Sequence, residues 1–246
     1  MGEVTPAVRP LAIVENVETT DNAAMGSRHD AWTRRLLACG AVGGPLFVAV
    51  FMLEGARRKG YDPLREPVSA LALGERGWVQ RANFLATGML MLACSRGLLR
   101  LPADHPAASR WGARFVGLYA IGLVGAGVFV TDPVEYGAPD RGAPVTPTQR
   151  GMLHGLFSLQ VFAALGLAAL TYAARFARTG RPAWALTSGL VGVLVPGGLV
   201  LFGRALSQDG GLRPVAGLVQ RLTIGVGWSW VSALALAARR APPGAS

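Results

Sequence analysis

Gly151-Met152-Leu153-His154-Gly155-Leu156-Phe157-Ser158-Leu159-Gln160-Val161-Phe162-Ala163-Ala164-Leu165-Gly166-Leu167-Ala168-Ala169-Leu170-Thr171-Tyr172-Ala173-Ala174 runs for 24 residues without one charged side chain. About 20 helical residues cross the hydrocarbon core of a bilayer. An open strand cannot satisfy its backbone there. The stretch therefore predicts a transmembrane helix. Five more apolar runs lie on either side of it, at about 36–53, 78–99, 111–131, 183–202 and 218–238. The second is interrupted near its ends by Arg81 and Arg96, whose heads can snorkel to the interface. These runs predict an all-α, polytopic bundle of six membrane helices occupying residues 32–238. A polar, mobile tail is expected over 1–31 and a short basic, proline-containing tail over 239–246.

Composition agrees. The chain of 246 residues is 51% hydrophobic, holds 33 glycines and is only 15% charged. A soluble domain carries about 25% charged residues. Mean hydropathy is +0.37. A soluble enzyme, a coiled coil and a disordered chain are excluded, and two cysteines exclude a disulfide scaffold. The net charge of +10 raises nucleic acid as a partner. The cations, all arginine except Lys59, instead cluster at the ends of the apolar runs, as membrane flanks do. The expected partner is thus the lipid bilayer and not nucleic acid; oligomeric state is left open.

Placing the N-terminus in the cytoplasm puts 13 basic residues inside and 11 outside. Six of the outer ones lie between Arg57 and Arg81; without that segment the count is 13 to 5. The two inner loops hold seven arginines and one acid, Asp104. A multi-pass protein of the cell membrane with both flanks cytoplasmic is expected. Cys39 and Cys94 then lie near the reducing side as free thiols.

Several local features are legible. Gly151/Gly155 and the stripe Gly225, Ser229, Ala233, Ala237 have the spacing of helix contacts. Pro196 predicts a kink in the fifth run. In the first outer loop, Pro67 suits a first helical position and Gly74 a helix end, with Val68, Leu71 and Ala72 on one face. This predicts a short interfacial helix, able to cover the ends of the spans. Thr146-Pro147-Thr148-Gln149 fits a capping box with Thr146 as the cap.

Polar residues at membrane boundaries are the best functional pointers in such a chain. Glu54, Arg81, Asn83, Asp132, Glu135, His154, Gln220 and Arg221 all fall toward the same, outer end. Asp132 and His154 could exchange protons, and Ser69 could serve as a nucleophile. Arg81 and Arg221, with Tyr61 and Asp62 of the loop, could hold an anion. No cofactor and no metal site is expected. His29, His105 and His154 cannot converge, and His154 with Asp132 and Glu135 has no diagnostic spacing.

The motifs Tyr61-Asp62-Pro63-Leu64-Arg65-Glu66-Pro67-Val68-Ser69-Ala70-Leu71-Ala72-Leu73-Gly74, Gly77-Trp78-Val79-Gln80, Asn83-Phe84, Val128-Phe129-Val130-Thr131-Asp132-Pro133 and Thr148-Gln149-Arg150-Gly151-Met152-Leu153-His154-Gly155 resemble a prokaryotic membrane family, domain of unknown function 998. The likeness covers about residues 36–238. It implies six membrane spans and no established activity, and its motifs fall on Ser69, Asp132 and His154. Three functions compete. One is binding of an anionic lipid or small anionic ligand at the outer polar cluster. The second is an outer-interface enzyme, a hydrolase or transferase acting on a lipid-like substrate through Asp132 and His154. The third is a structural or sensory subunit. Whether the chain is an enzyme is left open by the sequence.

Overall fold

The computed structural model describes residues 11–133, 147–206 and 211–240, with side chains from Asp30 onward. Among the described residues there are six α-helices: α1 (Leu11–Arg57), α2 (Gly77–Leu99), α3 (Arg110–Val128), α4 (Gln149–Arg178), α5 (Pro182–Leu206) and α6 (Ala216–Arg240). Each is long and apolar enough to cross a membrane. The chain is an integral, multi-pass membrane protein. Its outward surface agrees: Met89, Leu156, Leu159, Leu186, Val193 and Leu222 are all more than half exposed, an arrangement suited to lipid rather than water.

α1 begins at Leu11, upstream of the apolar run expected from about residue 36. Leu11, Ala12, Glu15, Glu18, Ala23 and Ala24 are good helix formers with no proline among them, so the helix extends upstream of the span. Pro196 also sits inside a continuous helix, α5.

The helices form a closed ring in chain order. Asn83 Nδ2 of α2 donates to the Phe47 carbonyl of α1 at 3.0 Å. Ser95 of α2 donates to Ala113 of α3 at 2.8 Å, and Gln160 of α4 to Leu118 of α3 at 2.9 Å. Trp230 of α6 donates to Ser188 of α5 at 3.0 Å. Ser232 of α6 donates to the Gly40 carbonyl of α1 at 3.1 Å, which closes the ring. The α4–α5 seam packs through Gly166 against Pro196 and Gly192 against Leu170. Among the described residues it has no such polar stitch. Interhelical bonds of this kind contribute roughly 0.6–2 kcal/mol each in a membrane.

Every neighbouring pair is antiparallel. Gly43 of α1 faces Met91 and Gly97 faces Leu37; Gly88 faces Val124 and Gly127 faces Leu85; Gly122 faces Val161 and Gly112 faces Tyr172. As one partner advances, the other recedes. The first, third and fifth connections therefore share one end of the ring.

That end is crossed by the short helix expected in the first loop. It is a 3-10 helix, Val68–Ala72, with Pro67 as its cap rather than its first residue. Gly74 follows at φ +71°. Val68, Leu71 and Ala72 are buried against the bundle. We call this segment the lid.

At the opposite end, Arg175 of α4 holds the α2–α3 loop, donating to Ala103 at 2.8 Å and to His105 at 3.0 Å. His105 is buried, and its Nδ1 accepts from the Ala107 amide at 3.1 Å. Burial, with Arg181 and Arg175 nearby, pushes its pKa below the usual 6.5; Asp104 pulls the other way. The unfolded chain then takes up the proton first. Stability should be full above about pH 6.5 and fall as the pH drops through the folded value. Thermal unfolding followed from about pH 7.5 to 5.5 should show this slope, and His105→Asn, which keeps an acceptor two residues before Ala107, should flatten it. Equal slopes in both proteins would refute the assignment.

Candidate functional site

The polar residues expected at one end do gather there, but as two separate constellations. The first anchors the lid. Glu54, at the end of α1, has a side chain only 3% exposed. Its Oε1 accepts from Arg58 at 3.0 Å, and Arg76, just before α2, pairs with Oε2 at 2.8 Å. The i, i+4 spacing of Glu54 and Arg58 was visible in the sequence; the part played by Arg76 was not. Arg58 also donates to the Leu73 carbonyl at 2.7 Å, fastening the far side of the lid.

From the other flank, α6 fastens the near side. Gln220 Oε1 accepts from the Val68 amide at 2.8 Å. The Leu218 amide donates to Leu64 at 3.0 Å. Arg221 donates to the Glu66 carbonyl at 2.8 Å and to the Tyr61 hydroxyl. Gly217 makes this crossing possible: a Cβ there would overlap the Glu66 and Pro63 carbonyls. Tyr61 in turn donates to Pro67 at 3.1 Å. Burial pushes its phenol above the ordinary value, with Arg221 pulling the other way, so it stays protonated.

The second constellation joins α3 to α4. His154 is buried, and its Nδ1 lies 2.8 Å from the Phe129 carbonyl and 3.1 Å from that of Ala126. Two acceptors at one nitrogen place the proton on Nδ1. The ring lies edge-on to Phe84. Asp132 reaches in the other direction: its carboxylate accepts from the Thr148 amide at 2.8 Å and the Thr148 hydroxyl at 2.6 Å. Thr148 then caps α4 by accepting from Gly151 N at 3.0 Å. The cap is thus Thr148, and Thr146 lies outside the described residues; Asp132 takes the place of a local capping partner, where the helix dipole favours a carboxylate. Gly151 is required because a Cβ would overlap that carboxylate. The Asp-Pro and Thr-x-x-Gly-x-x-His motifs are two halves of one clasp.

The structure thus brings Tyr61 and Arg221 together, and joins Asp132 and His154 to the same helix junction without a bond between them. Ser69 sits on the lid and makes no hydrogen bond to Asp132 or His154. Asp62 folds into its own turn, accepting from Leu64 N at 2.9 Å and pairing with Arg65 at 3.4 Å. Arg81 is exposed and donates to the Gly127 carbonyl at 3.3 Å. Glu135 lies outside the described residues. Among the described residues, no carboxylate pairs with Arg81 or Arg221.

Arg221 stands at the head of a groove of about 680 Å³ on the lipid-facing side of α5 and α6. Gly225, Ser229 and Ala233 form its floor, with Trp184 and Thr187 on α5. The small-residue stripe of α6 therefore lines an open groove rather than a helix contact; a Cβ on Gly225 would meet nothing within 4 Å. Gly155 likewise has no close neighbour among the described residues.

No match was found among curated proteins or among solved structures. The profile of one family, described as "Protein of unknown function (DUF998)", matches residues 41–237, which takes in both constellations and all or most of each of the six spans. With four-fifths of its length inside that match, the chain belongs to this family.

Proposed function

We propose that this protein binds an anionic amphiphile, with the charged head on Arg221 and a hydrocarbon chain in the groove along α6. One observation carries the reading: a half-buried guanidinium, with no carboxylate partner among the described residues, heads an apolar groove. Among the described residues, Arg221 donates to uncharged acceptors, the Glu66 and Gly217 carbonyls and the Tyr61 hydroxyl, which leaves its charge to attract an anion. From Arg221 to Ala233 the groove follows about 18 Å of helix rise, comparable to an extended acyl chain. Aromatic rings of Phe51 and Tyr61 lie 5.9 and 5.5 Å from the guanidinium and hold its plane. We place this end on the extracytoplasmic side of the cell membrane. The arginine-rich second and fourth loops at the other end support that orientation.

Native mass spectrometry of protein taken from liposomes of phosphatidylglycerol and phosphatidylcholine tests the reading. The anionic lipid should be retained preferentially. A charge-assisted contact of roughly 1.5–3 kcal/mol predicts at least a tenfold loss in Arg221→Gln and retention in Arg221→Lys. Gly225→Leu, which fills the groove without touching the lid, should lose the lipid too. Equal retention of both lipids, or no change in Arg221→Gln and Gly225→Leu, refutes it. For the orientation, a membrane-impermeant thiol reagent should label Asp62→Cys in intact cells; labelling only after lysis reverses it.

A further inference from the structure

The ring encloses a cavity of about 60 Å³ beneath the lid, walled by residues of all six helices and by Val68 and Ser69 of the lid. Most of the wall is apolar, with Phe47, Phe84, Leu123, Phe162 and Trp228 contributing, and no charged side chain lines it. Four polar groups on the wall have nothing to bond: among the described residues, none partners the hydroxyls of Ser69, Tyr119 and Ser158 or Nε2 of Gln220. Tyr119 is only 1% exposed. Gln220 is held in place through its other amide atom by the lid.

Buried polar groups in native proteins are nearly always satisfied, so open donors around a single void call for an acceptor inside it. An ion does not suit this wall, which offers no opposite charge to offset its desolvation. A pure hydrocarbon leaves the donors stranded. An apolar body with an uncharged acceptor oxygen satisfies both parts of the wall. We propose that this chamber binds an uncharged, bilayer-dissolved alcohol or carbonyl compound, its oxygen on Tyr119, Ser158 and Gln220. This does not rest on the Arg221 reading, because the chamber holds no guanidinium.

The test is photolabelling of the full-length protein in liposomes with a diazirine-bearing aliphatic alcohol, the adducts being mapped by peptide mass spectrometry. Saturable labelling of chamber residues, competed by the same alcohol without the diazirine, is expected. Ser158→Leu, which fills the void, should cut that labelling at least fivefold. Tyr119→Phe removes one oxygen and should weaken competition about fivefold. Gly225→Leu, in the outer groove, should leave the labelling intact, so this proposal and the anionic-lipid reading can fail separately. Adducts confined to lipid-facing Leu156, Leu159 and Val200, without saturation, mean that the chamber holds water alone and overturn the proposal. If Ser158→Leu fails to fold, Tyr119→Phe decides, and unchanged competition in that variant overturns it as well.

Discussion

Glu54→Ala is expected to cost about 3 kcal/mol and to lower the melting temperature by roughly 6–12 °C. The carboxylate is buried and neutralises two guanidinia, one of which holds the lid at Leu73. Removing one partner of a buried pair leaves the other uncompensated, typically at 3–5 kcal/mol. The expectation lies at the low end because the Arg76 side chain is 58% exposed and regains water. In a Cys39→Ser background, which removes the partly exposed thiol, fully buried Cys94 is a reporter: a thiol-reactive fluorophore reaches it only as the bundle opens. A thermal ramp in detergent with that dye therefore reads the effect. The double variant Glu54→Ala/Arg76→Ala should cost less than the two single changes together, since both remove the same interaction. A melting temperature within about 1 °C of the parent would show that the lid is held by α6 alone.

His154→Ala is expected to destabilise by about 2–4 kcal/mol, from the void it leaves and from two carbonyls deprived of their donor. Asparagine places an amide nitrogen near the position of Nδ1, so His154→Asn should recover about half of that loss. The comparison separates two roles. A residue that clasps helices is partly replaced by any donor at that point; a proton-transfer group is not. If alanine and asparagine variants melt alike, the bonds to Ala126 and Phe129 do not hold the junction. Asp132→Asn should behave as the other half of the clasp, because the amide can still accept from Thr148 but loses its charge at the start of α4.

Both outcomes bear on how the site was read from the chain. Spacing correctly put Glu54, His154, Gln220 and Arg221 at one end, because each borders an apolar run whose length fixes its depth. It paired Asp132 with His154 as proton-exchange partners because both were polar and near in depth. Depth says nothing about azimuth, and the two side chains reach past each other to opposite members of one helix junction. The same gap explains the stripe on α6. Four-residue spacing shows that Gly225, Ser229 and Ala233 share a face, and only the neighbours reveal that this face is an open groove. Tyr119 and Ser158 each stand between apolar neighbours in their spans; that was the available signal for the chamber, and it was too sparse to point inward.

The chain by itself determined that it would be helical, cross the membrane six times and carry a short helix in its first loop. Those properties follow from the lengths of apolar runs and from local backbone chemistry, which act over neighbouring residues. Closure of α1 onto α6, the crossing of the lid over Gly217, the exchange of bonds between α3 and α4 and the unpartnered donors around the central void were decided only by the tertiary structure. Each joins residues far apart in sequence, and their partners are fixed by how helices rotate and pack against one another, which hydrophobic periodicity inside a uniformly apolar span does not encode.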